Sequence, residues 1–331
     1  MKEINKKFAL NLQLFNNTNI TTDTGLSAEM KVFYSDYLID NAKPLLVHDQ
    51  FGQKHPIPRN GGKTIEFRKY SPFAKALTPI TEGVTPDGHK LNVSKITAEV
   101  AQYGDYVELS DVLLLTAIDN NLVEATKLCG NQAGETLDTV TREVLVGGTN
   151  VQYSGGVSDR SALSSDNKLT VDDCFRAARF LKTQKAQKID GYYVAIIHPD
   201  VAYDLMRSED WVNAAQYAGS TQVFEGEIGK IAGIRFVETT EAKIFEDAGS
   251  DGEDVYVTLV LGANAYGVTE VEGGGLQHIV KQLGSAGTAD PLNQRATVGW
   301  KAIKTAERLV EGFMIRIESC SSFGSNEVSP E

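Results

Sequence analysis

The sequence is short of cysteine, of long apolar runs and of positive charge, and each shortage excludes a class of protein. Its three cysteines lie far apart with no CxxC pair, which indicates a reducing compartment and excludes a disulfide framework and a zinc site. No apolar run approaches the roughly 20 residues that a membrane-spanning helix needs. The net charge is −12, whereas a protein that binds nucleic acid through its phosphates needs a basic surface.

Catalytic patterns are also missing. The five histidines show no metal-ligand spacing such as HExxH, and no GxSxG motif marks a nucleophile. Residues 60–64 (NGGKT) imitate the end of a phosphate-binding loop, but Ile57 stands where that motif requires glycine. The acidic loop at 246–254 fails the calcium-loop pattern, because Gly249 and Thr258 occupy ligand positions. We therefore predict no enzyme activity, no cofactor, and no catalytic, cofactor-binding or metal-binding residues.

The patterns along the chain predict an α+β fold. The length suits one large domain or two ordinary ones, since single cores stop growing at roughly 250–300 residues. An apolar stripe from Leu122 to Val144 predicts a long helix over about 119–146 that stops at Gly147. Alternating helical and strand patterns follow. They comprise a helix after Thr170 with Phe175, Ala178 and Leu181 on one side, a strand at 192–197, a helix opened by His198, and strands near 231–238, 255–261, 276–281, 295–304 and 313–318.

The stretch from Gly61 to Asp111 is the most distinctive part of the chain. Apolar residues alternate along two extended arms, while Pro79, Gly83, Pro86 and Gly88 break any helix or central strand between them. A two-stranded hairpin with so little apolar residue at its tip cannot bury itself and is marginal alone in water. We therefore predict that this hairpin lies against another subunit and that the chain is an assembly component.

Several long segments carry a resemblance to a known family. They include LTPITEGVTPDG (77–88), VAQYGDYVELSD (100–111) and GSAGTADPLNQRATVGWKAIKTA (284–306), together with residues 46–72 and 226–244. In this order the chain resembles the major capsid proteins of tailed bacteriophages, which share the Hong Kong 97-type fold. Within that family it is most similar to the group found in Gram-positive prophages and related to the coat protein of the phage called N-four. The resemblance covers roughly residues 26–321.

The resemblance implies a division of the chain. Its parts are an N-terminal arm (1–25), a first helix and connection (26–60), the extended loop (61–108), a peripheral domain with a long spine helix at about 119–146 (109–168), an axial domain (169–262), return strands of the peripheral domain (263–322) and a C-terminal tail (323–331). Some relatives carry a fused N-terminal scaffolding segment, for which the position of the first helix leaves no room. The sequence therefore favours a separate scaffold protein; the alternative is an already processed chain, which the initiator Met1 disfavours.

The resemblance also implies function, partners and site. We expect a major capsid protein that self-assembles into pentamers and hexamers of an icosahedral virion shell in the bacterial host cytoplasm. Expected partners are copies of itself, a scaffold protein, a portal and enclosed double-stranded DNA bound without sequence specificity, with no membrane. The inter-subunit contact is predicted at the loop tip, Thr78, Pro79, Ile80, Thr81, Glu82, Gly83, Val84, Thr85, Pro86, Asp87 and Gly88. The alternatives are an encapsulin-like nanocompartment shell and a soluble enzyme with its site in the α/β section.

Overall fold

A computed structural model gives the fold of most of the chain. It describes Leu38 and residues 46–58, 62–70, 73–116 (except 81, 84, 86 and 87), 121–212, 227–270 and 274–324 (except 286, 288 and 289). The predicted N-terminal arm, the predicted first helix apart from Leu38, and the tail from residue 325 onward lie outside the described residues.

Strands outnumber helices along the described chain, in line with the predicted α+β class. In order the elements are β1 (Gln53–Lys54), β2 (Thr64–Tyr70), β3 (Val93–Glu99), β4 (Ala101–Ser110), α1 (Asp111–Thr116), α2 (Asn121–Val146), β5 (Val151–Tyr153), α3 (Val171–Thr183), β6 (Tyr193–Ile197), α4 (Pro199–Arg207), β7 (Glu227–Ile231), β8 (Ile234–Glu238), β9 (Ile244–Phe245), β10 (Val255–Leu261), β11 (Tyr266–Glu270), β12 (Gln277–Lys281), β13 (Arg295–Arg308) and β14 (Met314–Ser319).

Two sheets and a separate hairpin organise these strands. The first sheet has the order β1-β11-β13-β12, and β4 pairs with β13 along its whole length. The second sheet has the order β5-β14-β10-β6-β8-β7, with β9 also paired to β10. Both sheets mix parallel and antiparallel pairs. Strands β2 and β3 pair only with each other among the described strands, so the hairpin stands apart from both sheets.

Helix α2 is the long helix that the sequence predicts. Its 26 residues give a length of about 39 Å at 1.5 Å per residue. It packs on the first sheet, where the buried side chains are Leu109, Ala125, Cys129, Ala133, Leu137, Val298, Trp300 and Ala302. The indole N–H of Trp300 donates to Gln132 Oε1 at 3.1 Å, and the Gln132 amide donates to Asp105 at 2.7 Å. This chain of hydrogen bonds fixes the helix over β13 and β4.

The second sheet is covered on both faces. Tyr193, Ala195 and Ile197 of β6 face a core formed with α3 and α4, whereas Ile196 faces a core that includes the end of α2. A strand buried on both faces has no polar side to alternate with. All seven residues of β10 are accordingly buried, and all except Thr258 are apolar.

Helix α3 begins as predicted, and its buried face includes the predicted Ala178 and Leu181 but not Phe175. The Thr170 hydroxyl accepts from the Asp173 backbone, and the Asp173 carboxylate accepts from the Thr170 backbone, which completes a capping box. The prediction placed Phe175 on the apolar face, but its side chain is 53% exposed. The buried stripe follows Cys174, Ala177, Ala178 and Leu181 at helical spacing, and Phe175 lies one step of about 100° away from it.

Two strand predictions need correction. The predicted strand at 231–238 begins too early, because Ile231 ends β7, Ala232 and Gly233 form a tight turn with positive φ, and β8 begins only at Ile234. The predicted returning arm of the hairpin divides in two. Residues 93–99 pair with β2, but residues 101–110 pair with β13 in the first sheet. The paired hairpin is therefore shorter than the predicted 61–108, since alternation continues through both strands and does not encode their partners.

The N-cap of α4 makes the stability of the α/β section sensitive to acid. His198 Nδ1 accepts from the Asp200 backbone N–H at 3.2 Å. Burial lowers the pKa of His198 below 6.5, although the carboxylates of Asp200 and Glu241 act in the opposite direction. As pH falls below about 6.5, His198 therefore takes up a proton in the unfolded chain before it does so in the folded protein. The stability that neutral His198 contributes to the folded protein is lost as pH falls from about 6.5 toward its lower folded-state pKa.

We expect His198→Asn to reduce the loss of unfolding free energy between pH 7.5 and pH 5.5. Asparagine keeps an N-cap acceptor and does not titrate in this range. Denaturant unfolding at the two pH values measures the effect. The matched control is His89→Asn, because the His89 side chain is exposed. An unchanged pH dependence in the His198 variant would contradict this assignment.

Candidate assembly surface

The hairpin consists of a short ladder and a long exposed tip. The ladder runs from Thr64 opposite Glu99 to Tyr70 opposite Val93. The predicted contact residues lie beyond it. Thr78, Pro79, Ile80, Glu82, Gly83, Thr85 and Gly88 are all exposed, whereas Thr81, Val84, Pro86 and Asp87 lie outside the described residues. The predicted tip is therefore accessible to a partner wherever its residues are described.

Large apolar side chains stand uncovered around this tip. Their exposed fractions are 55% for Phe73, 82% for Leu77, 76% for Ile80 and 67% for Leu91. The Phe73 ring stacks on His89 with centroids 5.6 Å apart, so the two sides of the tip are in contact. These side chains expose apolar surface to water, which is unfavourable. Covering that surface with another protein surface is favourable by roughly 25 cal/mol for each Å² buried.

One aromatic side chain anchors the hairpin to the body. Phe67 is buried, and its ring lies against Gly267 of β11, where a Cβ added to the glycine would come within 2.8 Å of the ring. The His55 ring meets Phe67 edge-on at 5.5 Å. A cleft of about 470 Å³ lies beside this contact and is lined by His55, Glu66, Phe67, Asn264, Leu309 and neighbouring residues. The Phe67 ring, and with it the hairpin, can pack here because Gly267 has no side chain.

We expect Gly267→Ala to displace the hairpin. A methyl group overlapping a packed ring costs typically 1–3 kcal/mol, and Phe67 must move to relieve it. Limited proteolysis should cut residues 64–99 several times faster than in the unaltered chain, and the unfolding free energy should fall within that range. Gly88→Ala is the control, since nothing lies within 4 Å of a Cβ at that position. Equal cleavage of the two variants would show that the contact between Phe67 and Gly267 does not hold the hairpin in place.

A buried polar cluster holds the segment that leads into the hairpin. The His48 backbone N–H and Nδ1–H donate to the two carboxylate oxygens of Asp138 at 2.7 and 2.6 Å. Asp49 accepts from the Thr141 hydroxyl at 2.5 Å and from the ammonium of Lys304. Both His48 and Lys304 are buried. The cluster ties the 46–54 segment to α2 and β13, and so positions β1 and the hairpin that follows.

Tyr266 and Leu137 complete this cluster. The Tyr266 hydroxyl donates to the His48 carbonyl, and Lys304 donates to the Leu137 carbonyl at 2.8 Å. Burial raises the pKa of Tyr266 well above its ordinary value, with the carboxylates of Asp49 and Asp138 acting in the same direction. The hydroxyl therefore remains a neutral donor. Sequence reasoning missed the cluster, although Asp138 and Thr141 fall on the buried side of the α2 stripe.

The described chain offers little for catalysis or metal binding. Burial raises the pKa of Cys174 to about 12 and that of Cys320 to about 11, and also raises the pKa of Cys129, so these thiols are poor nucleophiles. Among the described residues, no group of three or more His, Cys, Asp or Glu side chains could hold a metal ion. Lys63 of the loop-like motif is followed by strand β2 and not by the helix that a phosphate loop requires.

The described helices also include none that is long and apolar enough to cross a lipid bilayer.

Comparisons with solved structures place the fold. The structure matches the capsid of Ralstonia phage GP4 with a TM-score of 0.66 at 15% identity, covering 86% of this chain and 90% of that chain. It matches the capsid of cyanophage Pam1 with a TM-score of 0.67 at 15% identity, covering 83% and 90%. A virus-like particle from Pyrococcus furiosus matches with a TM-score of 0.52 at 10% identity, covering 87% and 99%. The α+β architecture is therefore the Hong Kong 97-type capsid fold.

The sequence itself identifies the family. No curated protein matches it. Residues 94–306, which include all but the first residue of β3, all of β4 and α2, and most of both sheets, match the family described as phage capsid protein. That span is well over half of the 331 residues. The chain therefore belongs to the phage capsid protein family, whose members are structural components of the virion.

Proposed function

We propose that this chain is a major capsid protein that self-assembles into the pentamers and hexamers of an icosahedral phage head. The observation that carries the proposal is the hairpin, whose large apolar residues at and beside the tip are 55–82% exposed in a single subunit. A protein with this fold and an uncovered arm of this kind gains stability by placing the arm on a neighbour. Permanent assemblies commonly bury 2,000–5,000 Å² or more at each interface.

The proposed shell encloses double-stranded DNA without reading its sequence. The net charge of −12 supports this, because an acidic wall repels phosphates on average and leaves packaged DNA able to slide. A strongly basic inner surface, once mapped on assembled shells, would contradict this part of the proposal.

Further parts of the proposal rest on the sequence resemblance. They are a separate scaffold protein and a portal as partners, assembly in the host cytoplasm, and membership of the N-four-like group found in Gram-positive prophages. The division into arm, extended loop, peripheral domain and axial domain belongs here too, with the boundaries given above except that the paired hairpin of the extended loop ends at Glu99. The two sheets and the separate hairpin support that division.

A second candidate is an encapsulin-like shell that encloses protein cargo. The observation in its favour is the match to the virus-like particle from Pyrococcus furiosus. The family match to phage capsid proteins favours the phage head. Nucleic acid that co-purifies with the shells supports the phage head, whereas a co-purified protein cargo supports the nanocompartment.

Negative-stain electron microscopy with sedimentation tests self-assembly directly. The purified chain is examined over a range of protein and salt concentrations, first alone and then co-expressed with the candidate scaffold protein. Closed shells, tubes or rings of five and six subunits are the expected result. A chain that stays monomeric at high concentration both alone and with the scaffold would overturn the proposal.

A further inference from the structure

Basic side chains are concentrated on helix α3 and on the turn that follows it, in a chain whose total charge is −12. Residues 174–188 contain five Lys or Arg residues and no Asp or Glu. All five side chains are exposed, and we call them the basic strip: Arg176, Arg179, Lys182, Lys185 and Lys188. Asp172 precedes the strip and Asp190 follows it, so acidic side chains of this segment lie only at its two ends.

Most charges of the basic strip are not neutralised within the subunit. Arg176 forms an ion pair with Asp172, one turn earlier on α3, at 2.8 Å. Its neighbours Arg179, Lys182 and Lys185 form no ion pair with any residue that the structure describes. Like charges at this helical spacing repel one another. An anion that lies along the strip would therefore be bound favourably.

The needs of the helix itself do not explain the strip. A cation near the C-terminus of a helix is stabilised by the helix dipole, which accounts for Lys182. That effect falls off within the last turn, so it does not account for Arg176 or Arg179. The exposed charges of α2, by contrast, include both signs, since Lys127 lies among three glutamates. The two arginines therefore point to a partner outside the subunit.

The spacing of the strip suits the phosphates of a DNA strand. Arg176, Arg179 and Lys182 follow one another at intervals of three residues, which makes them neighbours on the helix surface. Together they span about 9 Å of the helix axis. One strand of DNA presents a phosphate for about every 3.4 Å of duplex axis, so this length faces about three phosphates. Guanidinium groups also bind phosphate through two parallel N–H···O hydrogen bonds.

The positive surface continues beyond the end of α3. The Lys188 ammonium lies 3.7 Å from the position of a Cβ on Gly233, in the turn between β7 and β8. On β7, the exposed Lys230 has its ammonium 4.7 Å from the centre of the Tyr192 ring. Strand β7 is the last strand at this end of the second sheet. The basic side chains thus extend from α3 to the edge of that sheet.

We propose that the basic strip binds the phosphodiester backbone of double-stranded DNA and that α3 faces the DNA inside the assembled shell. The inference rests on the proposed function, because it names the surface through which the shell contacts the DNA that it encloses. Five residues in a chain of net charge −12 do not make the surface basic as a whole. Contacts to phosphates carry no sequence information and allow sliding along DNA, so the enclosed DNA remains mobile.

The salt dependence of DNA binding by the unassembled subunit tests the site. Fluorescence anisotropy of a labelled random-sequence duplex gives the binding constant at several salt concentrations. The logarithm of this constant should fall with the logarithm of salt concentration with a slope of roughly −2.7 to −4.5, for three to five phosphate contacts. Arg179→Gln combined with Lys182→Gln and Lys185→Gln should weaken binding at least tenfold at low salt. The slope should become shallower by about 0.9 for each residue changed.

A matched variant separates the strip from the net charge. Arg68→Gln combined with Lys127→Gln and Lys301→Gln changes the same residue types by the same total charge, at exposed positions outside the strip. It should keep the slope of the unaltered chain and bind within about twofold of it, while circular dichroism confirms that both variants are folded. Equal losses in the two variants, or no salt-dependent binding by the unaltered chain, would overturn the inference. Tighter binding to polyglutamate than to the duplex at the same salt concentration would overturn it in favour of an acidic protein partner.

Cross-linking within shells tests whether α3 faces the enclosed DNA. Shells are assembled in the presence of short duplexes, treated with nuclease to remove outside DNA, and cross-linked with formaldehyde. Mass spectrometry should find DNA adducts on Lys182, Lys185 or Lys188. If shells that contain DNA carry adducts only elsewhere, the inference is wrong and the capsid function stands. If the unaltered chain forms no shells with or without the scaffold protein, the proposed function itself fails, whereas duplex binding by the subunit still tests the strip.

Discussion

Deletion of residues 78–89 should leave a folded subunit that no longer forms shells. The described residues in this range are exposed, and they lie beyond the β2–β3 ladder and the Phe67 anchor. Their removal takes little buried surface from the subunit but removes Ile80 and part of the tip that we propose to cover a neighbour. We expect an unfolding free energy within about 0.5 kcal/mol of the unaltered chain and at least a tenfold loss of assembled material by sedimentation.

A variant of equal length separates the loss of contacts from the loss of chain. In it, residues 78–89 are replaced by a glycine–serine sequence of the same number of residues. The reach of the tip is kept and its side chains are removed, so this variant should fail to assemble as the deletion does. Normal shells from the deletion would show that the tip is not an assembly contact. Normal shells from the glycine–serine variant alone would show that its side chains are dispensable.

Lys304→Met should cause the largest loss of subunit stability among single changes in the buried cluster. The Lys304 ammonium donates to the Asp49 carboxylate and to the Leu137 carbonyl, and its side chain is 2% exposed. Removal of one partner from a buried ion pair leaves the other charge uncompensated and costs about 3–5 kcal/mol. Denaturant unfolding of the subunit measures the change.

Two matched variants test the cause of that loss. Lys301→Met changes the same residue type three positions earlier on β13, where the side chain is exposed, and should stay within about 0.5 kcal/mol of the unaltered chain. Asp49→Asn combined with Lys304→Met removes both charges and should recover part of the loss. If the double variant is as unstable as the sum of the two single changes, the ion pair is not the source of the stability.

The resemblance and local patterns predicted much of the fold. The long helix, the capping box at Thr170, the helix opened by His198 and the strand at 255–261 lie where local spacing and turn residues place them. These features depend on residues that are near one another in the sequence, so a single chain contains the information. Phe175 shows the limit of this reasoning, because an aromatic side chain near an apolar stripe can still point to solvent.

The sequence by itself determined the α+β class, the net charge of −12 and the exposed, proline- and glycine-rich tip, since each follows from composition or from local spacing. Only the tertiary structure decided which residues are partners. Residues 93–99 pair with β2 while 101–110 pair with β13. The Phe67 ring packs on Gly267, and the Lys304 ammonium donates to the Asp49 carboxylate. These contacts join residues up to 255 positions apart. Alternation and helical spacing specify which face of an element is buried, but they do not specify what covers it.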